Sequence, residues 1–170
     1  NQIELPNKTL HISSTGNPHS VLDFKRFSAD EAASFISAQN TLLKSLVAKH
    51  QFITTNFMAS HEPIDPWRNQ DLDFVSYTMY PVAGYQKGLG TQGFRIGDMG
   101  QISMANDVFR SIKGKTGVME LQPGQVNWGK VNPQPYPGAV RAWLWNSFAG
   151  GLSFICSYRY RQSLSGSEQY

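Results

Sequence analysis

The chain has 170 residues, of which 40% are hydrophobic and 12% aromatic, and its net charge is +3. This is enough apolar side chain for one domain with a real core, which excludes intrinsic disorder. The basic residues are scattered apart from Arg159-Tyr160-Arg161, so the stripe or patch of a nucleic-acid binder is missing.

A single cysteine, Cys156, excludes an internal disulfide and any cysteine-rich metal centre; its apolar surroundings indicate a buried, inert thiol. His11, His19, His50 and His61 show no ligand spacing, so neither a metal nor another cofactor is expected. No apolar run approaches the roughly 18 residues of a membrane span. The first residue is Asn rather than Met, so the lack of a signal peptide leaves the compartment open, cytoplasmic or periplasmic.

Residues 1–27 carry Pro6, Gly16, Asn17 and Pro18 without a clear period and read as an irregular approach segment. Ser28-Ala29-Asp30-Glu31 has the form of a capping box. Phe35, Ile36, Leu42, Leu43, Leu46 and Val47 follow on one helical face, predicting a helix from there to about His50. Residues 51–58 and 73–80 read as strands, the second stopped by Pro81. The glycine-rich stretch from Gly84 to Gly100 matches no phosphate-binding motif and reads as a flexible surface loop. A helix is predicted over 101–113, with Ile102, Ala105, Phe109 and Ile112 on one side.

Thr116-Gly117-Val118-Met119 is a short β-branched run closed by Glu120 and followed by Pro123-Gly124 and Trp128. A Pro- and Asn-rich loop leads to Gly138. A helix is predicted from Ala139 to Ala149, ended by Gly150-Gly151, and a last strand from Leu152 to Tyr158. Strands alternating with helices indicate a parallel sheet with right-handed crossovers. Four strands are half of a (β/α)₈ barrel, which needs at least about 200 residues. The α/β chain is therefore a small open sheet or, better, a partial TIM barrel, since its strands end in Asn56, Tyr80, Glu120 and Arg159. Its two terminal strands would leave unpaired edges, so association is expected.

Glu120 is the leading functional candidate. A carboxylate at the C-terminal end of a buried strand is costly to desolvate unless used there, and that end is the catalytic face of a barrel. The competing reading is a Glu that caps the strand or pairs with a surface Arg. The four Trp, seven Tyr and ten Phe exceed the needs of a small core; such rings suit a sugar cleft, a large core or an interface.

Several blocks carry a resemblance: Thr55–Met58, Asp71–Tyr77 through Tyr80-Pro81, Met119–Trp128, Pro133–Gly151 and Tyr158–Tyr170. Together they resemble the C-terminal half of the catalytic barrel of glycoside hydrolase family 42 β-galactosidases, roughly strands five to eight, over residues 1–170. The resemblance implies a retaining β-galactosidase acting on a β-galactoside or galacto-oligosaccharide, without nucleic acid or membrane, and a homo-oligomer, usually a trimer. It makes Glu120 the nucleophile, Trp128 a stacking platform, Glu168 a binder of sugar hydroxyls, Tyr80 the tyrosine that hydrogen-bonds the nucleophile, and Asn56 a lining residue. Otherwise Trp128 reads as a packed rim aromatic, Tyr80 as an amphipathic cap and Glu168 as a solvated tail residue.

The departures are specific. The acid/base Glu after an Asn would lie before Asn1, and Glu4, Glu31 and Glu62 are poor substitutes. The His expected three positions after Glu168 falls beyond Tyr170, and Thr78 stands where many relatives carry an acidic residue. A non-catalytic carbohydrate-binding or structural half-barrel, or another barrel glycosidase, remains open as an alternative.

Overall fold

The computed structural model describes residues 17–58, 64–83, 90–129 and 131–169. The expectations for residues 1–16, for Glu4, His11, His61 and Glu62, and for 84–89 lie outside the described residues. The chain divides into two compact units, Asn1–Ile53 with Ser60–Asp73, and Thr54–Ala59 with Phe74–Tyr170.

In the first unit, helix α1 spans Pro18–Leu46. It starts ten residues before the predicted box because Pro18 occupies its first turn and the Asn17 side chain accepts from the His19 amide at 3.0 Å. Ser28 is consequently mid-helix, its hydroxyl donating back to the Phe24 carbonyl at 2.9 Å. The buried stripe also differs from the predicted one. Ala29, Ala33 and Asn40 are buried, whereas Phe35, Leu42, Leu43 and Leu46 are exposed.

Small and polar residues win that face through directed hydrogen bonds. Asn69 donates to the Ala33 carbonyl at 3.0 Å, and Asn40 donates to both the backbone and the carboxylate of Asp71. Desolvation pushes the Asp71 carboxyl up, but hydrogen bonds from Asn40, Ser37, its own backbone and Asn69 outweigh it, leaving the group below its ordinary value. A short 3₁₀ turn at Pro66–Arg68, capped by Asp65, precedes Asn69.

The second unit is a four-stranded sheet in the order β1-β2-β3-β4, all parallel. The strands are β1 Asn56–Met58, β2 Val75–Met79, β3 Thr116–Leu121 and β4 Phe154–Ser157. Of the long strand read at 51–58, only its last three residues pair. The Gly84–Gly100 loop reading is corrected where it is described: Gly90–Ile96 form helix α2. At its end Gly97 takes φ +80° and lies so close to Pro81 that a Cβ would meet the proline ring at 2.6 Å.

Helix α3 runs Met99–Lys113 behind an Asp98 cap, and Ile102, Ala105, Phe109 and Ile112 are buried as their spacing predicts. Helix α4 covers Ala139–Ala149, the predicted span, and buries Trp143, whose indole donates to the Ile96 carbonyl at 2.7 Å. The α3 face of the sheet carries Phe57, Tyr77 and Val118, all buried; Phe109 stacks on Tyr77 with ring centroids 4.6 Å apart. The Tyr77 hydroxyl donates to Asn106, and burial pushes its phenol well above the ordinary range. Cys156 is exposed, not buried. It sits on β4, which among the described residues pairs only with β3.

Candidate active site

The opposite face of the sheet bears the polar strand residues. Adjacent partners in a parallel ladder point the same way, so the pairs Asn56 with Ser76 and Met58 with Thr78 share this face. Tyr80, two residues beyond Thr78, continues it. Here a cleft of about 400 Å³ is lined by Asn56, Met58, Thr78, Tyr80, Glu120, Trp128, Tyr158 and Glu168.

Strict alternation along β3 would put Glu120 with Val118 on the α3 face. The ladder prevents it. Val118 pairs with Tyr77 but Glu120 with Thr78, and on the other flank Val118 pairs with Ile155 but Leu121 with Ser157. Met119 is thus the extra residue of a β-bulge, which turns Glu120 into the cleft while Val118 and Leu121 both stay buried.

The Tyr80 hydroxyl donates to Glu120 Oε2 at 3.0 Å. The Trp128 indole meets the Tyr80 ring edge-on, centroids 5.0 Å apart at 76°, and remains 48% exposed, leaving a broad aromatic surface at the cleft mouth. Thr78 donates to Asn56 Oδ1 at 2.8 Å, which fixes the amide so that its Nδ2 is the donor left to face the cleft.

Glu168 lies on the far wall, where its Oε2 accepts from the Tyr158 hydroxyl at 2.5 Å and from Arg159 at 3.4 Å. Arg159 also donates to Ser163 Oγ and to the Glu168 carbonyl, and Asn127, beside Trp128, donates to the Ser167 carbonyl at 2.6 Å. The segment carrying Glu168 is therefore pinned from two sides rather than trailing as a solvated tail.

All five candidates from the sequence line one cleft: Asn56, Tyr80, Glu120, Trp128 and Glu168. Arg159, grouped with them as a strand-end residue, does not line it and instead holds Glu168. Thr78, Met58 and Tyr158 were not singled out as lining residues. The period-2 rule applied to Asn56 and Tyr80 finds the first two; Tyr158 carries no such signal. No cluster of potential metal ligands occurs among the described residues. Chemically, the cleft offers one carboxylate oriented by a phenol, a second carboxylate held as an acceptor, an amide donor and an exposed indole. That set suits a neutral polyhydroxylated ligand with one apolar face.

The glycoside hydrolase family 42 model, described as beta-galactosidase, matches residues 1–170. The chain is 35% identical to the beta-galactosidase BgaA of a Thermus species over 99% of its own length and 26% of that relative. It is 37% identical to BgaH of Haloferax lucentense over 91% of its length and 24% of the relative. The fold is similar to the crystal structure of a beta-galactosidase from the psychrophilic Marinomonas ef1, with a TM-score of 0.84, 32% identity, and coverage of 98% of this chain and 26% of the other. The chain thus spans about a quarter of the length of the curated relatives it matches, as a partial barrel should.

Proposed function

Because the chain belongs to the glycoside hydrolase family 42 β-galactosidases, we propose that residues 1–170 are the C-terminal half of the catalytic barrel of a retaining β-galactosidase and supply its nucleophile, Glu120. The observation that carries this reading is the carboxylate of Glu120, turned into the cleft by the Met119 bulge and hydrogen-bonded by Tyr80. A retaining glycosidase uses two carboxyl groups about 5–5.5 Å apart. Glu120 attacks the anomeric carbon and forms a covalent galactosyl ester as the aglycone oxygen leaves with a proton from the acid partner. That partner then deprotonates the water that releases galactose.

The Tyr80 hydroxyl holds Glu120 Oε2, which leaves the carboxylate's other oxygen to attack. The indole of Trp128 receives the apolar face of the galactose ring. Glu168 and Asn56 take sugar hydroxyls as acceptor and donor respectively. Glu168, whose Oε2 is engaged by Tyr158 and Arg159, is assigned to sugar binding rather than to the acid role. The acid/base carboxyl comes from outside this chain, so residues 1–170 alone are inactive, and the working enzyme is a homo-oligomer, a trimer by family resemblance.

The test is Glu120→Gly in the full-length protein, assayed on dinitrophenyl β-galactoside. Activity is expected to fall at least about 10⁴-fold. Azide should restore turnover by entering the vacated α face, giving α-galactosyl azide. Near-normal hydrolysis, or a β-configured azide, would overturn the assignment.

A further inference from the structure

Gln122 is completely buried two residues beyond Glu120, and its side-chain amide is fully committed. Its Oε1 accepts from the Val82 amide at 2.8 Å; its Nε2 donates to the carbonyls of Val82 and Gly124, each at 2.7 Å. Its backbone amide donates to the Met79 carbonyl at 3.0 Å. Residue 122 therefore grips the chain on both sides of Tyr80, through Met79 before it and Val82 after it. Pro81 has no N–H to extend the ladder past β2, and the Gln122 amide substitutes for the missing strand pairing by engaging both polar groups of Val82. A closed loop results: Glu120, Gln122, the 79–82 segment, Tyr80, and back to Glu120 through the 3.0 Å phenol contact.

We propose that Gln122 is a positioning residue for the glycosyl-transfer step, acting through Tyr80 to hold the Glu120 carboxylate in its attacking orientation. The proposal rests on Glu120 being the nucleophile. Three hydrogen bonds from one amide at 0% exposure hold the segment, and an unpaired Val82 N–H or C=O there would be cut off from water. Losing the side-chain clamp releases the Val82 end of the segment that carries Tyr80, and small displacements of a reacting group are costly in rate.

The test is a double-mutant cycle in the full-length protein with Gln122→Met, which keeps the length and makes no hydrogen bonds, and Tyr80→Phe. The readout is the rate at which a 2-deoxy-2-fluorogalactosyl dinitrophenolate forms the covalent ester: the Glu120 oxygen–anomeric carbon bond forms and dinitrophenolate departs with the electron pair. Tyr80→Phe is expected to slow this about 10- to 100-fold and Gln122→Met about 10-fold. The double variant should be within about threefold of Tyr80→Phe alone, because Gln122 has no phenol left to position. Dissociation constants for galactose should stay within about threefold throughout.

Multiplicative losses in the cycle, or an unimpaired Gln122→Met, overturn the proposal. If Gln122→Met fails to fold, Gln122→Glu carries the cycle, since burial keeps its carboxyl protonated, retaining the acceptor for the Val82 amide and one O–H donor while losing the second donated bond. Peptide mapping of the labelled wild-type protein separates the two levels. A label on a residue other than Glu120 sinks the nucleophile reading and this proposal with it; a label on Glu120 with a multiplicative cycle sinks this proposal alone.

Discussion

Gly117 lies three residues before Glu120 on β3, paired with Phe154 on β4. A Cβ at this position would come within 2.5–2.6 Å of three carbons of the Phe154 ring, against an ordinary carbon–carbon contact of about 3.5–4.0 Å. Gly117→Ala therefore forces the ring away by about 1 Å. Phe154 is half-buried and already has a packing partner. Its ring packs edge-on against Phe74, centroids 5.4 Å apart, and Lys115 lies over the Phe74 ring at 5.2 Å. Overpacking of this kind costs about 1–3 kcal/mol, while alanine lowers the entropy of the unfolded chain and returns about 0.4–1 kcal/mol. The net expectation is a destabilisation of about 1–2 kcal/mol, read as a lower urea midpoint by tryptophan fluorescence of the full-length protein. Phe154→Leu in the same background should recover more than half of the loss, although it destabilises the wild-type chain. An unchanged midpoint for Gly117→Ala, or no recovery with Phe154→Leu, would refute the reasoning.

Two further outcomes are expected. Tyr158→Phe removes the 2.5 Å donor to Glu168; because that carboxylate is 46% exposed, water takes the place of the phenol and the loss stays at the low end for a hydrogen bond. KM for galactosides should rise about 3- to 10-fold with kcat within about threefold, and a fall in kcat at constant KM would contradict the binding role of Glu168. The buried Tyr77 phenol, raised far above its unfolded value of about 10, binds a proton that the unfolded chain releases. Its contribution is complete below pH 10 and is lost as pH rises beyond it, so alkaline unfolding should coincide with phenolate absorbance at 295 nm. Tyr77→Phe should flatten stability above pH 10, and a Tyr77 that ionises within the folded protein near pH 10 would contradict its burial.

Much of the sheet was legible because its signals are local. The α4 span matched to the residue, since Gly138 and Gly150-Gly151 punctuate an apolar run, and α3 declared its buried face through Ile102, Ala105, Phe109 and Ile112. The errors arose where long-range contacts override local preference. The leucines and phenylalanine of α1 mark a helix correctly but not its buried side, which was decided by Asn69 and Asp71 bonding to Ala33 and Asn40, more than thirty residues away. Ser28 has the composition of a cap, yet Asn17-Pro18 had already started the helix. Cys156 sits among apolar neighbours, but apolar neighbours in sequence do not bury a residue whose strand lies at the end of the sheet.

The site poses a sharper problem for sequence reasoning, because period-2 alternation applied to β3 places Glu120 on the wrong side of the sheet. Period-2 alternation from the buried Val118 assigns Glu120 to the α3 face, beside Phe109, where an unpaired carboxylate would be expelled. No signal within Thr116–Leu121 announces the extra residue: Met119 is an ordinary strand side chain, and the bulge is visible only in the mismatch of two ladders, two residues against one toward β2 and three against two toward β4. Both neighbours must accommodate the same insertion, so the irregularity belongs to β3 rather than to either pairing. The chain holds it in place immediately downstream, where the Gln122 amide bonds Met79 and the Tyr158 amide bonds the Leu121 carbonyl, restoring the ladder on both flanks within two residues. Without the insertion Glu120 would follow Val118 onto the buried face. With it, Glu120 meets Tyr80 above the sheet while Val118 and Leu121 keep the core closed beneath it.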